Sequence, residues 1–274
     1  MDRLSPEIIS RALTSRRFGR PLHYFPEVDS TNDTARRLAA EGAGEGTAVI
    51  SDRQLRGRGR RGRRWLSRTG EGLCLSVILR PRCPPARYPG LTLLAAAAAG
   101  RAIESRAGVG FELKWPNDIL LGGLKAGGVL AETGTDREGE PFLVVGLGIN
   151  VSGEDFPPAL RGRATSIRRA GGGGAGRAEL AAGILAELEE LYRDFGPEGD
   201  LSRVLAICRE RSATIGRLVR ASGGGMEAAG LALGITAEGG LRIRQDDGRE
   251  LTLSSGEVTL RERENLNQPA EKRI

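Results

Sequence analysis

The residues from Gly57 to Trp65 read GRGRRGRRW, arginines broken by glycines and closed by an aromatic ring. Glycine lets a backbone take positive φ and come close to a ligand. Successive backbone N–H groups in such a loop can form an anion-binding nest. Arginine forks match phosphate or carboxylate oxygens two at a time. Trp65 offers a flat face on which a planar ring can stack. The stretch therefore describes a loop that wraps an anion with a planar part. A solvated Arg/Gly segment that binds RNA loosely has the same composition. The loop alone leaves both readings open.

Four other groups could do chemistry. Ser30, Thr31 and Asn32 open a helix read from DTARRLAAEG. They are either a plain N-cap or hydrogen-bond partners for a polar ligand at a helix N-terminus. In KWPND, Lys114 to Asp118, Pro116 biases Trp115 toward an extended backbone and forces a turn. That turn presents Asn117 and Asp118 at a strand end. Lys125 precedes Ala126, Gly127 and Gly128, neighbours small enough to leave room for a ligand. A lone lysine beside glycine is usually a solvated turn residue, but here a polar Asn-Asp pair lies just upstream. Asn150 sits in an apolar run, where a buried amide needs partners.

The elements that must position these groups follow from pattern. A short helix is read around Pro6 to Leu13. Gly42 and Gly44 end the helix that Ser30 opens. Strands at Thr47 to Ser51 and Leu73 to Leu79 hold both ends of the basic loop, unlike a free Arg/Gly tail. Leu91 to Arg106 is alanine-rich and reads as a buried helix. Short strands follow at Phe111 to Lys114 and Val129 to Thr133. Another runs from Phe142 to Val145 and on through GLGINV, 146 to 151. Residues 152 to 176 read as a polar, glycine-rich connection whose GGGGAG, 171 to 176, is mobile. Arg177 to Phe195 is an amphipathic helix with Leu180, Ile184, Leu188 and Leu191 on one face. Leu201 to Arg211 is a second. From Thr214 short strands alternate with turns at Gly223 to Gly225, Glu238 to Gly240 and Asp246 to Gly248. This predicts a small antiparallel β-barrel of roughly 50 residues. From Glu264 the tail reads as charged and frayed.

At 274 residues the chain can form one large domain and a small one. A hydrophobic fraction of 39% is adequate for a packed core. Lys and Arg number 41 against 35 Asp and Glu, for a net charge of +6. This balance, with a pI near 9.8, suits an anionic ligand or acidic partner and, taken alone, nucleic acid. Cys74, Cys83 and Cys208 lack metal-ligand spacing, which points to reduced thiols in a reducing compartment. The N-terminal sequence has no apolar signal core, and no run of about 20 apolar residues exists. A cytoplasmic protein without a membrane span is expected.

Ser30-Thr31-Asn32, Gln54 with GRGRRGRRW, KWPND, Lys125-Ala-Gly-Gly and GLGINV occur in this order. As a set they resemble the biotin protein ligases, over about residues 24 to 262. The resemblance implies an α+β fold. A mixed β-sheet with packed helices, like class II aminoacyl-tRNA synthetases, would precede a small Src-homology-3-like β-barrel. It divides the chain into an N-terminal extension (1–23), a biotin- and ATP-binding catalytic domain (24–211) and the small barrel (212–264). The first residues are too short for a helix-turn-helix domain. A monofunctional ligase without specific DNA binding is therefore expected.

The implied chemistry has two steps. Biotin is activated by ATP as biotinyl-5′-AMP, with Mg²⁺, and then passes to a lysine of a biotin carboxyl carrier protein. The carrier would belong to acetyl-CoA carboxylase or a related carboxylase. A homodimer is left open. The resemblance assigns catalytic roles to Lys125, Arg60 and Asp118. Biotin contacts are implied for Ser30, Thr31, Asn32, Gln54, Gly57, Arg58, Gly59, Arg60, Lys125 and Gly128. ATP contacts are implied for Arg60, Arg63, Trp65, Asn117, Asp118, Lys125 and Asn150, with Trp65 stacked on adenine. Metal ligands are not assigned. Leu55-Arg56 depart from the small or polar residues many members carry before the first glycine, which bears on the loop's shape. Repulsion among its arginines implies a loop that is mobile without ligand and ordered with it. Two rivals stand beside this reading. A lipoate-type ligase shares the fold, but the basic loop and KWPND speak against it. A nucleic-acid-binding protein would leave the Asn-Asp, Lys125 and Asn150 motifs idle.

Overall fold

The computed structural model describes residues 4–174, 176–223 and 226–260. Helix α1 (Pro6–Ala12) starts at Ser5, whose hydroxyl accepts from the Ile8 N–H. Its Ile9, with Leu4, Leu13 and Phe18, enters the main core. Residues 4–23, expected as part of an N-terminal extension, thus contribute four side chains to the main core. Strand β1 (Leu22–Val28) lies parallel to β2 (Ala48–Gln54), joined by α2 (Thr31–Ala40). Strand β1 escaped the sequence reading because LHYFPEV holds a proline, a glutamate and a histidine. It is an edge strand, where proline costs no ladder bond.

Strand β3 (Gly72–Leu79) is buried almost throughout, as its apolar run requires. Helix α3 (Tyr88–Ala107) begins three residues earlier than expected and is buried along most of its length. After it, β4 (Glu112–Lys114) and β5 (Asp118–Leu121) form a hairpin across the KWPND turn. Strand β6 (Leu124–Thr135) starts well before the expected Val129, so Lys125 is a strand residue and not a turn residue. Strand β7 (Pro141–Asn150) completes a seven-stranded mixed sheet in the order β1-β2-β3-β7-β6-β5-β4.

Successive strand residues face opposite sides, and the sheet uses both. Val49, Ile78 and Val144 pack under α2 with Ala35 and Ala39. Ile50, Leu75, Val77 and Val145 belong to the larger core, with α3, α4 (Arg177–Phe195) and α5 (Ser202–Glu210). Leu180, Ile184, Leu188 and Leu191 of α4 are all buried, as the periodicity predicted.

The last strands are β8 (Leu218–Gly223), β9 (Met226–Ile235), β10 (Leu241–Arg244), β11 (Glu250–Leu253) and β12 (Glu257–Leu260). They form an antiparallel sheet in the order β11-β10-β9-β8-β12. The small β domain is thus present. Among the described residues, however, β11 and β12 lie at opposite edges and the barrel does not close. Trp115 ties the two sheets: its Nε1 donates to the Gly239 carbonyl at 2.9 Å, and its backbone N–H to Thr214 Oγ1 at 3.0 Å. The expected mobile run 171–176 includes Ala175, and the turn at Gly223 to Gly225 includes Gly224 and Gly225. These residues, and the tail from Glu264, lie outside the described residues.

Candidate functional site

A cavity of about 1080 Å³ opens where β2 ends and β3 begins. Every residue to which the resemblance assigns a catalytic, biotin or ATP role lines it except Gly57. Its floor is neutral and polar. Ser30 occupies the N-cap position of α2, yet its side chain makes no capping bond. Gln54 does that work instead: its Oε1 accepts from the Thr31 backbone N–H at 2.7 Å and from Thr31 Oγ1 at 3.0 Å. Ser76 Oγ lies 2.8 Å from Thr31 Oγ1 and 2.7 Å from Asn32 Oδ1. Asn32 Nδ2 donates to Glu132 Oε2 at 2.7 Å and to the Leu130 carbonyl at 3.2 Å. Ser30, Thr31, Asn32 and Ser76 are all buried. A fully bonded buried network is rigid, because each group lost from it leaves another unpaired. Ser76 was legible as a lone hydroxyl inside LCLSVIL.

The basic loop is a small hairpin over this floor. Trp65 N–H donates to the Gly57 carbonyl at 2.9 Å, and Gly59 N–H to the Arg63 carbonyl at 2.6 Å. Gly57 is needed for close approach, since a Cβ there would sit 2.5 Å from the Trp65 carbonyl oxygen. Positive φ, expected of the glycines generally, is confined to Gly62 and to the non-glycine Arg61 at the tip. Three of the loop's arginines find polar or acidic partners. Arg58 pairs with Asp33 at 2.7 Å and Glu132 at 3.0 Å. Arg63 reaches Glu257 of β12 at 2.6 Å, and Arg61 donates to the Ser222 hydroxyl and carbonyl. The hairpin tip is thereby docked on the second sheet. Sequence reading missed Glu257 and Ser222, which lie some 160 residues or more from their partners.

The opposite wall is charged. Lys125 Nζ lies 2.5 Å from Asp118 Oδ1. Gly128 stands beside this pair, where a Cβ would lie 3.4 Å from Lys125 Nζ. Arg60 Nη1 approaches Asn117 Oδ1 at 3.5 Å, while Asn117 Nδ2 donates to the Val129 carbonyl at 2.8 Å. Burial, with Arg61 nearby, holds Arg60 below the ordinary arginine value. Asn150, half-buried, donates to the Thr165 carbonyl at 3.0 Å. Trp65 lies against the backbone of Gly148. The 152–176 segment is more than the connection expected of it. Gly153, Phe156, Leu160 and Ala164 are among its residues that line the cavity, and Arg163 and Thr165 bond the Lys125 backbone. Nothing in their composition marks them.

A neutral polar floor meeting a cationic wall suits an elongated ligand, uncharged and polar at one end and anionic at the other. Among the described residues no three His, Cys, Asp or Glu side chains gather as a metal site. Nor is any helix long and apolar enough to cross a membrane.

Residues 24–150 match the biotin/lipoate A/B protein ligase family, and residues 214–261 match the biotin protein ligase C-terminal domain. The chain is 38% identical to the bifunctional ligase/repressor BirA of Bacillus spizizenii, over 90% of this chain and 76% of that one. It is 34% identical to the biotin–[acetyl-CoA-carboxylase] ligase of Mycobacterium tuberculosis, over 94% and 97%. Among solved structures it is similar to the biotin protein ligase of Aquifex aeolicus in complex with biotin and ATP. The TM-score there is 0.75 and the identity 32%, covering 88% of this chain and 98% of that one. Motifs, folded site and relatives agree, and the chain belongs to the biotin protein ligases.

Proposed function

We propose that the protein is an ATP-dependent biotin protein ligase acting on the carrier domain of a biotin-dependent carboxylase. The observation that carries this reading is the joining of the Thr31–Asn32–Gln54–Ser76 floor to the Lys125, Asp118 and Arg60 wall in one cavity. The uncharged ring system of biotin needs hydrogen-bond donors and acceptors without charge, which the floor supplies. Its carboxylate then points toward the cations.

In the first step a carboxylate oxygen of biotin attacks the α-phosphorus of ATP. The bond to the β-phosphate oxygen breaks, and pyrophosphate leaves with the electron pair. Lys125 and Arg60 stabilise the charge that gathers on the α-phosphate oxygens. Trp65 holds the adenine by stacking, as aromatic side chains hold bases elsewhere. In the second step the carrier lysine, as a neutral amine, attacks the biotinyl carbonyl and AMP leaves. Asp118, on the cavity wall beside Lys125, orients the incoming amine. Mg²⁺ fits the donor set as a phosphate-borne ion, since such ions take one or two carboxylates and otherwise substrate oxygens and water. Asp118 would be its protein ligand. The ion would neutralise phosphate charge.

The test is pyrophosphate exchange into ATP, with and without biotin, followed by biotin transfer to a purified carrier domain. Biotin-dependent exchange and one modified lysine are expected. Exchange that lipoate drives as well as biotin, or no exchange at all, would sink the reading.

A further inference from the structure

We propose that Lys114 holds the departing pyrophosphate, forming an anion subsite beside the Lys125–Asp118 pair. The proposal rests on the ATP-dependent reading above and adds a residue to which the site motifs assign no role. Lys114 ends β4 directly opposite Asp118 of β5. Residues opposite one another in an antiparallel pair project from the same face. Asp118 would be the natural partner for Lys114, but it is engaged by Lys125 at 2.5 Å. Among the described residues the Lys114 side chain forms no hydrogen bond and no ion pair, and yet it is half-buried and lines the cavity.

The groups that act on its charge are few. Asp118 and Glu257 favour it, while Lys125 and Arg163 oppose it. Desolvation outweighs them and pushes the ammonium below the ordinary lysine value. A half-buried cation without a counterion is unfavourable unless a ligand supplies one. Arg60 faces the same cavity in a similar condition, its guanidinium reaching the neutral Asn117 and no carboxylate among the described residues. A site that holds two such cations beside a Lys–Asp pair is short of negative charge. A triphosphate chain supplies more of it than one α-phosphate does. As the bond from the α-phosphorus to the bridging oxygen breaks, charge grows on the leaving pyrophosphate. An ammonium already lining the site stabilises it without a proton transfer.

The experiment compares Lys114→Ala and Lys114→Arg with wild type in three measurements: biotin-dependent pyrophosphate exchange, inhibition of adenylate formation by added pyrophosphate, and transfer from synthetic biotinyl-5′-AMP to a carrier domain. Lys114→Ala should slow exchange by about 10²-fold, the scale of one charge-stabilising donor. It should weaken pyrophosphate inhibition by about 10-fold or more, and Lys114→Arg should recover most of both losses. Transfer from the preformed adenylate should stay within a few-fold of wild type. Should Lys114→Ala fail to fold, Lys114→Met keeps the packing of the stem and serves in its place. Unchanged pyrophosphate inhibition would overturn the proposal. So would an equal fall in transfer from synthetic adenylate, which would put Lys114 on the adenylate. A wild-type protein that shows no biotin-dependent exchange would overturn the ligase reading itself.

Discussion

Two glycines of β7, two residues apart, should fail in different ways when given a methyl group. A Cβ on Gly146 would lie 2.0 Å from Asn32 Oδ1 and 2.8 Å from its Cγ. Contacts under 3.0 Å are essentially never seen for a Cβ, so something must shift by about 1 Å. The backbone cannot retreat, because Gly146 is paired with Ser76 on one side and Leu130 on the other. Asn32 must move, and it holds the floor together through Ser76, Glu132 and the Leu130 carbonyl. Overpacking costs about 1–3 kcal/mol, and each hydrogen bond lost from a buried group about 1 kcal/mol or more. Together they give roughly 2–5 kcal/mol. For a chain of this size each kcal/mol lowers Tm by about 2–4 °C. Gly146→Ala should therefore melt roughly 5–20 °C lower and bind biotin poorly.

A Cβ on Gly148 would instead lie 2.4 Å from Trp65 Cε2 and 2.7 Å from its Nε1. Trp65 is half-buried on a hairpin and can swing outward, so Gly148→Ala should change stability by less than about 1 kcal/mol. Nucleotide binding should suffer, because base–aromatic stacking is worth about 1–3 kcal/mol, or roughly 5- to 150-fold in Kd. Thermal unfolding and calorimetric titration, first with biotin and then with an ATP analogue, separate the two signatures. The reasoning is refuted if Gly146→Ala keeps wild-type Tm and biotin affinity. It is refuted equally if Gly148→Ala is the less stable of the two.

Lys125→Ala should slow pyrophosphate exchange by about 10²-fold or more, and a rate within a few-fold of wild type removes Lys125 from the first step. Arg60→Gly should still form biotinyl-5′-AMP but release it, so mass spectrometry should find bystander lysines modified; labelling confined to the carrier would end that role. The Arg80 hydrogen bond, aided by backbone N–H groups, holds the Asp136 carboxyl below the usual carboxylate value. Its stabilisation is therefore present above the unfolded-state carboxylate pKa and is lost as pH falls through the lower folded value. Asp136→Asn should flatten the acid side of the stability–pH curve, and an unchanged profile counts against the pair. Binding to DNA should be weak and sequence-independent, with a Kd of roughly 10⁻⁴–10⁻⁶ M at physiological salt. Biotin with ATP should weaken it further in an anisotropy titration, and nanomolar binding to one sequence would contradict this.

Features that depend on near neighbours could be read from the chain alone. Helix α4 was legible because Leu180, Ile184, Leu188 and Leu191 recur at helical spacing and all are buried. Strand β3 was legible as an apolar run interrupted only by Ser76, and the loop between β2 and β3 by its glycines, arginines and tryptophan. The polar groups of the cavity were legible because a hydroxyl, an amide or a lysine amid glycines is conspicuous in sequence. Which of them meet was settled by folding. Strand β1 is irregular in pattern and exists because β2 offers it a parallel edge. Lys125 belongs to a strand because it stands opposite Leu120 on one side, while on the other its N–H donates to the Arg163 carbonyl and its carbonyl accepts from the Thr165 N–H. Glu132 touches both Asn32 and Arg58, and Glu257 holds the hairpin tip, because distant strands close on one cavity. Charge complementarity across 74 or 194 residues of chain leaves no periodicity to read. It arises only when the sheets are assembled, because it depends on distance in space and not along the chain.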